Sequence, residues 1–195
     1  NELQGSGFAP GRLGQVLYPY YKKDIEEGKI TVEQAIELLE CMRVKFTEID
    51  IAMSVGTIGL LAGSTFNNIC IGGLRPDGSP AENELEFLFI EAAMRCQTPQ
   101  PTMTLLYDSK TSEKFIQKAI ECNKTGAGFP AYVNNRVAMD YLFKTFGQEG
   151  ITLEDARAWT IGGCLVIQPG TLVNGEFGAG SYSSTGVGFV NMPKT

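Results

Sequence analysis

The residue whose surroundings best equip it for chemistry is Cys164. It lies in Thr160-Ile161-Gly162-Gly163-Cys164-Leu165-Val166-Ile167-Gln168-Pro169-Gly170, between a pair of glycines and an aliphatic run closed by Pro-Gly. Such a run reads as a buried segment passing into a loop, and paired glycines let the backbone turn sharply or approach another segment closely. A thiol held in a dry, sterically defined place suits a radical better than a solvated thiolate nucleophile. By itself, a free cysteine reads as a small buried hydrophobe. The rest of the chain must decide between the two.

Composition removes most competing chemistries. The 195 residues include no histidine, which excludes Ser-His-Asp and Cys-His catalysis and H-E-x-x-H metal sites within this chain. The cysteines, Cys41, Cys70, Cys96, Cys122 and Cys164, are odd in number and widely spaced. That supports neither a disulfide framework nor a zinc site and points to a reducing, cytoplasmic setting. A formal net charge of −6 without a basic cluster argues against nucleic acid. No apolar run approaches the ~20 residues of a membrane helix. The opening Asn1-Glu2-Leu3-Gln4 has no secretory pattern. With 43% hydrophobic and 19% charged residues the composition is that of a globular protein.

Two glycine-rich stretches invite a nucleotide reading. Gly126-Ala127-Gly128-Phe129-Pro130-Ala131 matches the dinucleotide fingerprint in spacing, but it follows a helical pattern and Pro130 opens a strand-like run. Gly56 to Gly63 lacks the Gly-Lys-Ser/Thr ending of a phosphate loop. Both read as turns. Glu154 and Asp155 read as first-turn charges favoured by a helix dipole.

The elements that must position Cys164 alternate. Leu13, Val16, Leu17, Tyr20, Tyr21 and Ile25 share one helix face, which Pro19 should kink or divide, and Gly28 should end. Thr31 with Gln34 is a capping box opening a second helix, apolar on more than one face and therefore largely buried. Residues 51–63 give no clear signal. A strand is expected at 66–71, a turn at Arg75-Pro76-Asp77-Gly78, and a helix from Ser79-Pro80 with Glu82 to about Arg95. Strands at 102–107 and 130–133, each followed by a capped helix, lead to a short helix from Thr152 and then to Cys164. From Gly162 to Gly188 the chain reads as glycine-rich loop with apolar anchors at Phe177, Tyr182 and Val187. The alternation predicts an α/β fold.

Several blocks in order resemble the glycyl radical enzymes of the pyruvate formate-lyase family. They are Tyr18-Pro19-Tyr20-Tyr21 with Asp24 and the helix at 31–46, Phe66-Asn67-Asn68 with Gly72-Gly73, Asn83-Glu84-Leu85, and Pro99-Gln100-Pro101. Thr125-Gly126 with Pro130-Ala131 follows, and Leu153-Glu154-Asp155-Ala156-Arg157 leads to Gly163-Cys164. The resemblance spans essentially the whole chain. It implies part of a ten-stranded α/β barrel around a finger loop whose tip carries the radical cysteine, here Cys164. It also implies a longer protein, of which residues 1–195 are an internal fragment of the catalytic domain. The family's radical glycine, in an Arg-Val-x-Gly-Tyr motif, has no match here. No cofactor or metal is expected on this chain. The glycyl radical would lie outside it, installed by a radical-SAM activating enzyme, in a homodimer with or without small accessory subunits.

The resemblance also assigns a substrate side to Phe66, in a pocket-lining block, and to Leu165 and Val166 beside the thiol. Eliminating and decarboxylating members carry a glutamate base two residues after the cysteine, where this chain has Val166. Valine moves no proton, so a reaction without a neighbouring base is favoured. Pyruvate formate-lyase itself uses adjacent cysteines, whereas Gly163 and Leu165 flank this one. The expectation is therefore radical addition of a hydrocarbon to fumarate, as in alkylsuccinate and benzylsuccinate synthases. The alternative is a decarboxylase or C–X lyase whose base comes from elsewhere, Glu176 being the nearest downstream acid.

Overall fold

A computed structural model describes residues 10–48, 67–164, 166–173 and 176–181, with backbone alone at Glu149 and in 171–173 and 176–181. Strands β1 (Asn68–Gly72), β2 (Thr102–Tyr107) and β3 (Ala131–Asn134) form one parallel sheet in that spatial order. Its register sets Cys70 beside Thr104 and Leu105 beside Tyr132. The crossovers are helices α3 (Glu84–Arg95) and α4 (Glu113–Lys124). Both pack on the same face, joined by α1 (Leu13–Glu26) and α2 (Val32–Glu48).

The period-two alternation of strands decides what each face sees. Ile69, Ile71, Met103 and Leu105 point toward the helices and share a core with Phe89, Ile90 and Phe115. Cys70 and Leu106 point the other way. They pack with Ala138 and Leu142 of α5 (Asn135–Phe146) and with Trp159 and Ile161. This second face is not purely apolar: Asn68 and Thr104 are buried and joined there by a hydrogen bond of 3.0 Å. It is the face on which the segment carrying Cys164 is laid.

Most elements match their sequence signals. Thr31 and Gln34 form the reciprocal capping bonds, 3.2 and 2.8 Å. Ser112 and Asn134 cap α4 and α5, and Thr152 and Asp155 close a capping box on α6 (Leu153–Arg157). Four expectations are corrected. Helix α1 runs unbroken through Pro19, which lies on its exposed side, where water can take the carbonyl left without an N–H. In α2 only Ala35, Ile36, Leu39 and Arg43 are buried, while Leu38 and Val44 stand out, because α3 covers one side alone. The third helix starts at Asn83 rather than Ser79. Ser79 turns back to Asp77 and Glu82 reaches Ser112, leaving Asn83 to accept from the Glu86 amide at 3.1 Å.

The fourth correction matters most for the site. The glycine-rich stretch after Thr160 is sheet: β4 (Thr160–Gly162) pairs antiparallel with β5 (Val166–Gln168), and β6 (Gly170–Val173) with β7 (Glu176–Ser181). Glycine lowers strand propensity but does not forbid pairing where a close approach requires it. Residues 51–63, Phe66, Leu165, Tyr182 and Val187 lie outside the described residues. Among the described residues no helix is long and apolar enough to cross a membrane.

Candidate active site

Cys164 occupies the loop of the β4–β5 hairpin, between the paired residues Gly162 and Val166. Two local features make this turn. Gly163 takes φ 59°, the left-handed region that costs other residues strain. A side chain at Gly162 would push aside the Gln168 amide, the flexible end of a side chain laid over it from the partner strand. The two glycines read from the sequence thus serve different ends, one a turn and the other a close approach.

The root of the hairpin is held at two points. Trp159 is fully buried, and its indole N–H donates to Asn135 Oδ1 at 2.6 Å. The Asn135 amide in turn donates to Asp108 Oδ2 at 2.9 Å. Two residues on, the Ile161 amide donates to Cys70 Sγ at 3.1 Å. The Cys70 thiol faces Asn68 Oδ1 at 4.0 Å, and Asn68 donates to Thr104. Burial pushes the Cys70 pKa up to about 11, so it accepts as a thiol and not as a thiolate.

Beneath that root two buried ionisable side chains, Arg12 and Glu86, fix the incoming chain. The Arg12 guanidinium donates to the carbonyls of Gly72 (2.6 Å), Leu74 (2.7 Å) and Arg157 (2.9 Å). It thereby joins the exit of β1 to the end of α6, from which β4 departs. Glu86, also buried, accepts from the Gly72 amide at 2.9 Å and from Gln15 at 2.6 Å. Desolvation lifts the Glu86 pKa to about 7 against these donors and the Arg12 charge, and it lowers Arg12 to about 10. Arg12 remains a cation at neutral pH.

The tip differs from the root. Cys164 is exposed, and Val166 is 59% exposed. Among the described residues nothing supplies the dry setting expected for the thiol: the sheet and α5 cover the hairpin only as far as Ile161 and Ile167. From Thr160 to Gln168 the sequence offers no ionisable side chain other than the Cys164 thiol. Beside the root, a cleft of 290 Å³ opens at the carboxyl ends of β2 and β3, lined by Tyr107, Asp108, Ser109, Asn134 and Arg136 among others. Ligands in α/β sheets sit at this end of the strands.

Of the residues assigned from the sequence, the structure places Cys164 and Val166 on one hairpin; Phe66 and Leu165 fall outside the described residues. Sequence reasoning did not single out Cys70, Asn135, Arg12 or Glu86. No spacing distinguishes Cys70 from the other four thiols, and the only available signal for Arg12 was its position just before a helix. The dinucleotide-like stretch is a loop in which Gly126 and Gly128 have positive φ before β3, with no helix opening there.

The pyruvate formate lyase-like family model matches residues 1–195, the entire chain. The chain belongs to this family of glycyl radical enzymes. It is 50% identical, over all of its length, to the 4-hydroxyphenylacetate decarboxylase glycyl radical subunit of Clostridioides difficile, and spans 23% of that protein. It is 40% identical over 82% of its length to the indoleacetate decarboxylase of Tractidigestivibacter scatoligenes, of which it spans 18%. The crystal structure of hydroxyproline dehydratase from C. difficile superposes with a TM-score of 0.75 at 34% identity, covering 84% of this chain and 20% of the other.

The chain thus corresponds to about a fifth of these family members. The three parallel strands with both crossover helices on one face are a sector of the glycyl radical enzyme α/β barrel, and β4–β5 is its finger loop. The named relatives are decarboxylases, a dehydratase and sulfite-lyases. They favour the alternative drawn from the sequence over fumarate addition, which has no counterpart among them.

Proposed function

We propose that this chain is the thiyl-bearing part of a glycyl radical lyase that decarboxylates an arylacetate, with Cys164 as its catalytic residue. The observation that carries the reading is the 50% identity, over every part of the chain, to the glycyl radical subunit of an arylacetate decarboxylase. A glycyl radical outside this chain, installed by a radical-SAM activating enzyme, supplies the unpaired electron. The hairpin presents the thiol beyond its anchored root, and the dry setting that a radical needs must come from the rest of the complete enzyme.

The bare hairpin constrains the chemistry. The Cys164 thiyl takes one electron from the bound arylacetate carboxylate and one proton from water, which re-forms the thiol and leaves the carboxyl radical. The C–C bond to the carboxyl carbon then breaks, releasing carbon dioxide and leaving a benzylic radical. The thiol returns the hydrogen atom to that carbon, giving the methylarene and restoring the thiyl. Atoms balance, and no base on the hairpin is used. Val166 in the position of a glutamate supports a substrate without an acidic ring hydroxyl, since such a hydroxyl would need a proton acceptor beside the thiol. Glu176, the nearest downstream acid, opens β7 and belongs to a different hairpin.

The test uses the complete enzyme, activated anaerobically and offered phenylacetate, 4-hydroxyphenylacetate and indoleacetate in turn. The expected result is carbon dioxide and the methylarene, with phenylacetate preferred over its hydroxylated analogue. Dehydration of a diol or of hydroxyproline, without turnover of any arylacetate, would overturn the reading. That outcome would favour the second one, a C–O lyase, which rests on the 36% identity to trans-4-hydroxy-L-proline dehydratase. Consumption of toluene with fumarate would restore the addition chemistry. The homodimer, the cytoplasmic setting and the activase belong to the same proposal.

A further inference from the structure

The hydrogen-bond chain across the second face of the sheet has a use beyond burial. Thr104 of β2, Asn68 and Cys70 of β1 and the Ile161 amide of β4 follow one another at 3.0, 4.0 and 3.1 Å. All four residues are buried. A strand laid across the face of a sheet, without edge pairing to it, has no ladder to fix its height or its slide. Among the described residues β4 pairs only with β5, and there its hold on the barrel sheet comes from side chains. Trp159 supplies one such hold, through its indole. The other is the acceptance of a backbone N–H by a side chain, which fixes the main chain itself three residues before Cys164.

We propose that Cys70 is a positioning residue for Cys164: its sulfur accepts the Ile161 amide and sets the reach of the finger loop. The proposal rests on Cys164 being the hydrogen-transfer thiol, but not on which substrate it serves. Sulfur suits this place because a thiol is apolar enough for the cluster formed by Leu106, Leu142, Trp159 and Ile161. It still offers a weak acceptor to the one amide that arrives there. A methyl group would fill the space and leave a buried N–H without a partner, which native interiors avoid.

The test takes Cys70→Val, Cys70→Ala and Cys70→Ser in the complete enzyme. Valine keeps bulk without an acceptor, alanine removes both, and serine keeps an acceptor on a shorter bond. Amide hydrogen exchange at Ile161 is expected to quicken by about tenfold or more in the Val and Ala variants and to return toward the parent in Ser. After activation, the glycyl radical content by electron paramagnetic resonance should match the parent in all three. Turnover should fall by about tenfold or more in Val and Ala with KM within about twofold, the pattern of a misplaced reacting group. Parent-like exchange in Cys70→Val overturns the proposal, as does a serine variant no better than valine, or altered exchange with unaltered turnover. Exchange is read without substrate, so it decides the role of Cys70 even where arylacetates prove not to be turned over. Failure of the parent on arylacetates, with normal radical content, counts against the proposed substrate alone.

Discussion

Within one short hairpin the protein builds two opposite environments. At Trp159 and Ile161 the strand is fully buried, and the indole N–H and the backbone N–H each meet a side-chain acceptor. At Cys164 and Val166, beyond the glycine turn, the chain is exposed and carries no charge. The root therefore holds the information about position and the tip holds the reactive atom. A thiol that must meet two hydrogen partners cannot itself be packed tightly, so its accuracy has to be imposed from below, through the indole and backbone N–H groups that Asn135 and Cys70 hold.

The strongest break of this comparison is at the tip. Cys164→Ser keeps shape and polarity but replaces a weak S–H bond by a strong O–H bond. Turnover of the activated enzyme is expected to fall on the order of 10⁴-fold or more, the scale of removing a reacting group. Thermal stability should be unchanged, because an exposed thiol packs against little. A Ser variant with more than a hundredth of parent turnover would remove Cys164 from the chemistry.

The root should respond in the opposite sense. Trp159→Ala empties the largest side chain of the second core cluster and leaves Asn135 Oδ1 without its indole donor. The expected cost is about 3–5 kcal/mol of stability, read as a shifted unfolding midpoint or as faster amide exchange through 159–162. Loss of turnover would follow from the displaced strand. Should Trp159→Ala leave stability within about 1 kcal/mol, the root is not the rigid half of the hairpin.

How much of this division was legible follows from where its causes lie. Glycine pairing, the aliphatic run and the order of blocks announced the tip, because those signals are local in the sequence. The α/β alternation and the caps at Thr31 and Thr152 were local too, and they appear as read. The root was not. Cys70 and Ile161 are 91 residues apart, Trp159 and Asn135 are 24 apart, and Arg12 reaches a carbonyl 145 residues away. No periodicity carries such pairings. Even the misplaced start of α3 has this origin, since Glu82 reads as a capping residue until Ser112, 30 residues on, claims its carboxylate.

A third prediction concerns the buried Glu86 carboxyl beneath the root. The Glu86 carboxyl titrates near 4.5 when unfolded and near 7 when folded. A raised folded pKa means that the neutral acid is the form the fold prefers. Its contribution is complete below pH 4.5 and is lost as pH rises through 7. The shift corresponds to about 3 kcal/mol across that window. In Glu86→Gln the loss should disappear, so parent and variant diverge more at pH 8 than at pH 5, with the parent losing stability relative to the variant as pH rises. Parallel stability curves from pH 4 to 8 would show that the Glu86 carboxyl titrates alike in the folded and unfolded protein.

The smallest effect is expected from the change that most directly probes the bare tip. Val166 sits on β5 opposite Gly162 with its side chain turned away from the core, whereas Ile167 turns in. Val166→Glu gives up some strand propensity and little burial, so stability should move by no more than about 1 kcal/mol. The same charge at Ile161 would be buried among Cys70, Leu106 and Trp159 without a partner and should cost several-fold more. Chemically, the variant places a carboxylate two residues from the thiol. It should raise turnover of 4-hydroxyphenylacetate relative to phenylacetate, because a base now stands beside the site of hydrogen transfer. An unchanged ratio between the two substrates would mean that the tip's lack of charge does not set the choice of substrate, and that the acid–base group lies elsewhere in the complete enzyme.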